Sequence, residues 1–189
     1  MLLKNYYTLL DAYRHTYVGG STAYFSSGYA IPAVKLNNGS EVSVTTSMCG
    51  AQVYGDKLRG MFGGNTPSAS AIYAYPPTSQ SIAGTDTYIA FGSGTTPPTI
   101  DDYAVEALIS NISATATRVI NLENGHRVYI TFINNNNTSI TINEVVMYGS
   151  LNASGFAANP ALLREVFETP ITVEAGESFI YSWDYVTGE

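Results

Sequence analysis

RVYITFINNNNTSITINEVVMY, residues 127–148, places two alternating apolar runs on either side of four consecutive asparagines. Period-two alternation is typical of β-strands with one buried face, and asparagine suits turns because it tolerates left-handed backbone angles. The stretch therefore predicts a β-hairpin that turns at residues 134–137. Glu144 breaks the pattern, because strict alternation puts its carboxylate on the same face as Ile140 and Ile142.

Glu144 has two interpretations. It is either a catalytic or ligand-binding carboxylate, or a structural one that pairs with an arginine or is turned outward by a β-bulge near Asn143. A buried carboxylate needs a charged or hydrogen-bonded partner, and three arginines lie in the neighbouring predicted strands: Arg118, Arg127 and Arg164. We favour the structural interpretation, with Glu144 facing Arg164 or Arg118.

The rest of the chain is predicted to form short elements separated by turns. Leucines and tyrosines at helical spacing predict a short helix over residues 2–13, packed on its own sheet or docked on a neighbouring subunit. Asn37-Asn38-Gly39 predicts a hairpin turn. Further strands are predicted at residues 86–91, 116–121, 162–167, 171–173 and 179–185, with turns at residues 123–125 and 174–177.

A second helix is predicted from residue 99 to about residue 110. Thr99 and Asp102 have the spacing of a capping box with aspartate in place of glutamate. Val105, Leu108 and Ile109 then supply an apolar stripe.

These elements predict a mainly β chain. We expect an antiparallel β-sandwich or jelly-roll-like fold with a short N-terminal helix and one short internal helix. The length of 189 residues fits one domain of ordinary size. Residues 1–20 are interpreted as an N-terminal helix or arm. Residues 21–189 are interpreted as a single β-sandwich domain, with a long Pro-, Ser- and Gly-rich loop around residues 63–85.

The composition disfavours several classes of function. The net charge is −7 and the eight Lys and Arg are scattered, so direct nucleic-acid binding is not expected. No segment is long and apolar enough for a membrane span, and the N-terminus lacks the apolar core of a signal peptide. Cys49 is the single cysteine and cannot form an internal disulfide. We expect a protein that is made and retained in a cytoplasm unless it leaves as part of an assembly.

Few residues point to chemistry. Gly92-Ser93-Gly94 follows a predicted strand but lacks the Gly-Lys-Ser/Thr of a phosphate loop. His15 and His126 lie in no cluster with metal-ligand spacing. We therefore predict no catalytic residue, metal site or cofactor. The 15 tyrosines suggest a protein interface or a sugar-binding platform, and the candidate interface residues are Tyr6, Tyr7, Tyr73 and Tyr75.

Three passages in a fixed order suggest a family. They are IAFGSGTTPPTIDDYAVEALI (residues 89–109), TFINNNNTSITINEVVMYG (residues 131–149) and LLREVFETPITVEAGESFIYSWDY (residues 162–185). Together with the N-terminal MLLKNYYTLLDAYRH, they resemble a pattern in virion proteins of tailed bacteriophages. No counterpart is recognised for residues 30–85.

The resemblance implies a structural component of the virion, in the tail, the head–tail junction, the capsid decoration or a fibre. It implies assembly with copies of itself and with other virion proteins, and it carries no catalytic residues. A receptor- or glycan-binding module of a fibre or tail tip, with host surface glycan as its partner, is the alternative. An enzyme that acts on cell-wall polymer is the least favoured.

Overall fold

The computed structural model describes residues 1–19, 22–45, 88–123, 125–149, 151–153, 156–158 and 160–186. This part of the chain is mainly β, as predicted, with one helix at the N-terminus. The elements are α1 (Lys4–Arg14), β1 (Thr16–Gly19), β2 (Thr22–Phe25), β3 (Ala33–Lys35), β4 (Glu41–Ser43), β5 (Tyr88–Gly92), β6 (Ile112–Leu122), β7 (Gly125–Asn134), β8 (Ile140–Tyr148), β9 (Leu151–Ala153), β10 (Phe156–Ala158), β11 (Ala161–Val173) and β12 (Ser178–Val186). The loop predicted around residues 63–85 lies outside the described residues, as do Tyr73, Tyr75 and Cys49.

Two three-stranded antiparallel sheets enclose the main core. One has the strand order β11-β8-β5 and the other β12-β7-β6, while β1–β2, β3–β4 and β9–β10 form separate two-stranded ribbons. Aromatic rings from both sheets meet between them: Phe91 lies edge-on to Phe132 at 4.8 Å between centroids, and Phe132 stacks on Phe179 at 5.5 Å. The arrangement is consistent with the predicted β-sandwich, whereas a jelly-roll topology stays a prediction.

The prediction of a β-hairpin over residues 127–148 is wrong, because its two strands do not pair with each other. β7 pairs with β6 and β12, whereas β8 pairs with β5 and β11, so residues 135–139 carry the chain from one sheet to the other. Alternation marks a strand with one buried face, but it does not distinguish a neighbour within a sheet from a strand across the core. Phe132 and Ile142 belong to the same buried cluster from opposite sheets.

The hairpin of this region is instead β6–β7. Its last pair joins Leu122 to Gly125, which agrees with the turn predicted at residues 123–125. The β3–β4 hairpin is also confirmed, and its Gly39 has a φ of +81°. Glycine adopts this left-handed conformation without the steric penalty of a side chain.

All three connections between the two sheets lie at one end of the sandwich. They comprise residues 93–111, 135–139 and 174–177. Main-chain hydrogen bonds join them side by side: the amide of Asn135 donates to the carbonyl of Asn111 at 2.8 Å, and the amide of Asn134 donates to the carbonyl of Glu177 at 2.9 Å. The end of the sandwich is therefore closed by stacked crossings rather than by hairpin turns.

Asn134 stabilises this end of the sandwich through buried hydrogen bonds. Its side chain is buried, and Nδ2 donates to the carbonyls of Thr138 at 3.0 Å, Val173 at 3.1 Å and Glu174 at 3.1 Å. Its Oδ1 accepts from the amide of Asn136 at 2.9 Å. One amide side chain thereby supplies hydrogen-bond partners to main-chain groups of two connections between the sheets. Buried polar groups require such partners.

The helix predicted over residues 99–110 is absent, and a turn followed by irregular chain is found there. The capping contacts do form, since Thr99 donates from its amide to Asp102 Oδ2 at 2.9 Å and from its hydroxyl to Oδ1 at 2.7 Å. The next amides leave the helical path, because the amide of Val105 donates to the Tyr148 hydroxyl at 2.9 Å. Tertiary hydrogen bonds thus replace the helical ones.

Helix α1 is folded onto its own chain. Leu9 and Ala12 pack against Val34, Val44 and Leu162 in a second core cluster. Of the two predicted placements, the structure therefore shows the helix packed on its own chain.

The buried side chain of Asn5 strengthens this packing. It donates to the carbonyls of Lys35 at 2.7 Å and Ala161 at 3.1 Å, and accepts from the Lys35 amide at 2.8 Å.

No helix in the described part of the chain is long and apolar enough to cross a membrane.

The hydrogen bonds of Asn134 predict that substitutions within the run of four asparagines change the stability unequally. Asn134→Ala removes buried hydrogen bonds and leaves carbonyls without partners, so the free energy of unfolding should fall by about 2 kcal/mol. Asn137→Ala, at an exposed position, is the matched control and should change it by less than about 0.5 kcal/mol. Urea denaturation measures both, and equal effects would contradict the role of Asn134.

Candidate functional site

Glu144 lies on the outer face of β8, not on the face of Ile142. Ile142 and Val145, three residues apart, both face the core between the sheets, so the alternation shifts between them. Opposite this shift β11 bulges, with residues 167–170 facing Asn143 alone. The bulge predicted near Asn143 is therefore present, on the partner strand, and it includes Pro170.

A buried ionic cluster surrounds Glu144. Glu144 is 0% exposed and Arg164, on the neighbouring strand β11, is 3% exposed. Arg164 Nε donates to Glu144 Oε2 at 2.8 Å, Nη1 to Asp102 Oδ2 at 2.6 Å and Nη2 to Glu106 Oε2 at 3.1 Å. The predicted pair of Glu144 with Arg164 is present. Arg118, the other predicted partner, is exposed on β6 in the opposite sheet.

The second carboxylate oxygen of Glu144 is occupied by the main chain. Oε1 accepts from the amides of Gly94 at 3.2 Å, Glu106 at 2.9 Å and Ala107 at 3.0 Å. Hydrogen bonds to a charged acceptor are stronger than those between neutral groups. They hold residues 94–107 in a loop around the carboxylate, which is the physical reason that the predicted helix does not form.

Two glycines make room for this carboxylate. A Cβ atom added at Gly92 or Gly94 would fall within 3.0 Å of Glu144 Oε1, closer than real Cβ contacts allow. Between them, the carbonyl of Ser93 accepts from Asn143 Nδ2 at 2.7 Å. The Gly-Ser-Gly segment thus connects β5 to an irregular loop, and it is shaped to wrap an acidic side chain.

The carboxylates of Glu106 and Asp102 each accept hydrogen bonds from a threonine. The hydroxyl and the amide of Thr96 donate to Glu106 and lower its pKa. Burial alone would raise the pKa of Asp102, but hydrogen bonds from the Thr99 amide and from Arg164 outweigh it and the pKa is lowered. Both groups therefore stay ionised beside the guanidinium at neutral pH.

The pKa values of Arg164 and of the nearby Tyr148 phenol are also shifted. Burial would lower the pKa of Arg164, but its bonds to Asp102 and Glu144 outweigh this and raise it. Burial raises the pKa of Tyr148 to about 12. The phenol is therefore neutral when it accepts the hydrogen bond from the Val105 amide.

The cluster braces three separate parts of the chain. Glu144 on β8, Arg164 on β11 and the segment after β5 meet through ion pairs and main-chain hydrogen bonds. Four donors from the chain itself occupy the two oxygens of Glu144. This arrangement can stabilise the fold and fix the loop.

Most of this cluster cannot be recognised from the sequence. The capping-box spacing accounts for Asp102, and no pattern in the sequence points to Glu106. A Gly-x-Gly segment after a strand, together with a glutamate on an apolar strand, was the available signal. Their proximity depended on β5 and β8 being neighbours in the sheet, with Gly92 paired to Glu144.

Two of the four candidate interface tyrosines lie within the described residues, on helix α1. Tyr6 packs against the core cluster of helix α1 and lies edge-on to Tyr7, with 5.5 Å between ring centroids. Tyr7 is 49% exposed. Within the described residues, no group of three or more His, Cys, Asp or Glu side chains is placed to hold a metal ion.

No protein-family model, curated protein or solved structure matches the chain.

The ionic cluster predicts a large loss of stability in Glu144→Gln. The amide cannot replace the charge facing Arg164, so the free energy of unfolding should fall by about 3 kcal/mol, and Tm by about 10 °C. Glu168→Gln, at an exposed position of the β11 bulge, is the control and should stay within about 0.5 kcal/mol of wild type. Thermal melts that superimpose for all three proteins would refute a structural role.

Acid should weaken the fold through Asp102. Because its pKa is lower in the folded protein than its ordinary value of 3.8, its stabilisation is complete above about pH 4 and is lost as the pH falls through the folded pKa. Asp102→Asn should be less stable at pH 7 and should lose less stability between pH 5 and pH 2 than wild type. Urea titrations across this range measure the difference.

Asp101→Asn is the matched control for this pH dependence. Asp101 has a side chain that is 75% exposed and lies 3.6 Å from Lys4. Its variant should follow the wild-type dependence on pH. If Asp102→Asn did the same, Asp102 would not contribute to acid sensitivity.

Proposed function

We propose that this chain is a non-enzymatic structural component of a tailed-phage virion, a tail, neck or capsid accessory protein that assembles through repeated subunit interfaces. One observation carries the proposal. The three passages that resemble phage virion proteins meet at the ionic cluster: residues 89–109 supply Asp102 and Glu106, residues 131–149 supply Glu144, and residues 162–185 supply Arg164.

The chemistry of the cluster supports a structural role. Glu144 is the residue that the sequence offered as a catalytic carboxylate, and its oxygens are bonded to Arg164 and to three main-chain amides. A general acid or base must lie within hydrogen-bonding reach of a substrate. A carboxylate that is 0% exposed and bonded to its own chain instead serves the fold.

A low surface charge supports assembly. Charged residues make up only 12% of the chain, about half of the usual share, and the cores of protein interfaces are depleted in charge. The partners we propose are copies of this chain and other proteins of the particle, with the virion as its location.

A receptor- or glycan-binding module of a fibre or tail tip is the second candidate. The stacked crossings expose amide and hydroxyl side chains at one end of the sandwich, at Asn111, Asn135, Asn137, Thr138 and Ser139. Such groups can donate to and accept from sugar hydroxyls.

A gene deletion in the encoding phage tests the first proposal. Particles from the deletion strain should lack a morphological part in electron micrographs, and the chain should be found in many copies by mass spectrometry of purified wild-type particles. Complementation with Glu168→Gln should restore the part, and Glu144→Gln should restore it less well at elevated temperature. Absence of the chain from purified particles would contradict the proposal, and glycan-array binding by a chain present in few copies would favour the second candidate.

A further inference from the structure

The sheet β11-β8-β5 has main-chain partners at both of its edges. On β11, Leu163 forms a bridge with Leu2, and on β5, Gly92 forms a bridge with Leu108. Main-chain hydrogen bonds flank both bridges, including one from the amide of Leu3 to the carbonyl of Leu162 at 2.9 Å. The chain thus uses its own segments to cover these edges.

The sheet β12-β7-β6 differs. Among the described residues, neither β12 nor β6 pairs with a further strand. Both are long, with nine residues in β12 and eleven in β6. A long sheet edge without a neighbouring strand is a template for pairing with another chain.

We propose that β6 of one copy pairs with β12 of a second copy, so that the sheet continues from subunit to subunit. This inference rests on the proposed function, because it names the surface through which the chain assembles. β6 and β12 are both antiparallel to β7, so two translated copies join in parallel orientation. Parallel pairs occur in mixed sheets of this kind.

The side chains on the outer face fit such a junction. Through their partners on β7, Ile180 of β12 lies level with Ala116 of β6, since both pair with Thr131. Ile180 is 64% exposed and Ala116 is also exposed. In two copies placed side by side, the large side chain of one covers the small side chain of the next, and apolar surface leaves water.

The charges of the two edges are complementary. Arg118 on β6 is exposed, and no ion pair with a described residue involves it. Asp184 on β12 pairs with Arg127 through bonds of 2.5 and 2.7 Å. Arg118 lies level with Ser182, two residues from Asp184, so it is a diagonal neighbour of Asp184 in the next copy, within reach of a long side chain.

Like edges fit less well. Pairing β6 with a second β6 places two exposed Arg118 side chains on one junction. Like charges across paired strands destabilise them. A junction of unlike edges is heterologous, and the twist of the sheet turns each copy relative to the last, which closes a ring or produces a helical filament.

Two edge-blocking variants test this junction. Ala116→Arg blocks β6 and leaves β12 intact, whereas Ile180→Arg blocks β12 and leaves β6 intact. In sedimentation velocity, wild type should form oligomers, each variant alone should be a monomer, and an equimolar mixture should form a dimer of one copy each. Ile31→Arg, at a 57% exposed position outside this sheet, is the control and should assemble like wild type.

A charge variant serves as an independent test, because arginine at position 116 or 180 can also impair folding. Arg118→Glu should weaken self-association by about tenfold or more, with circular dichroism and thermal melts unchanged.

Other outcomes overturn the inference in distinguishable ways. Assembly by both blocked variants would move the interface elsewhere and leave the proposed function standing. Loss of assembly in only one variant, with no dimer in the mixture, would indicate a junction of like edges. A monomeric wild type at all concentrations would refute self-pairing, whereas absence of the chain from phage particles would refute the function itself.

Discussion

The ion pair between Glu144 and Arg164 determines how the parts of this fold meet. A carboxylate without exposure to water requires a compensating charge and full hydrogen bonding, and Arg164 together with the amides of the loop after β5 meets both needs. The glycines at 92 and 94 follow from this, since a side chain at either position would collide with the carboxylate. The irregular course of residues 94–107 follows as well, because its amides point at Glu144.

Much of the fold could be predicted from local signals. Alternation indicates β7, β8 and β12, and asparagine and glycine indicate the turns at residues 37–39 and 123–125. The need to compensate the charge of Glu144 indicates an arginine partner, with Arg164 among the candidates. These features depend on one strand, one turn or one charge at a time. The strands and turns among them remain valid whichever strands become neighbours.

The features that could not be predicted all depend on neighbours distant in the chain. Residues 135–139 connect two sheets because β8 is held between β5 and β11, and nothing within residues 127–148 encodes those partners. The capping contacts of Thr99 and Asp102 form without a helix, because Glu144 and Tyr148 compete for the amides that follow. Local propensity was correct in kind, and tertiary hydrogen bonds decided the outcome.

The stacked crossings at one end of the sandwich also bear on how the molecule forms. Within the two large sheets, only β6 and β7 are consecutive strands of one sheet, and the other pairs join strands separated by a crossing or by further elements. Non-local pairing requires loop closure before any contact repays it, so chains of this topology fold slowly. We expect the local β6–β7 ribbon to form first, because it requires the shortest loop closure, and its apolar face is covered only when the other sheet packs on it. The same topology that closes the finished sandwich thus makes the nascent chain vulnerable to aggregation, and favours folding at low concentration before assembly begins.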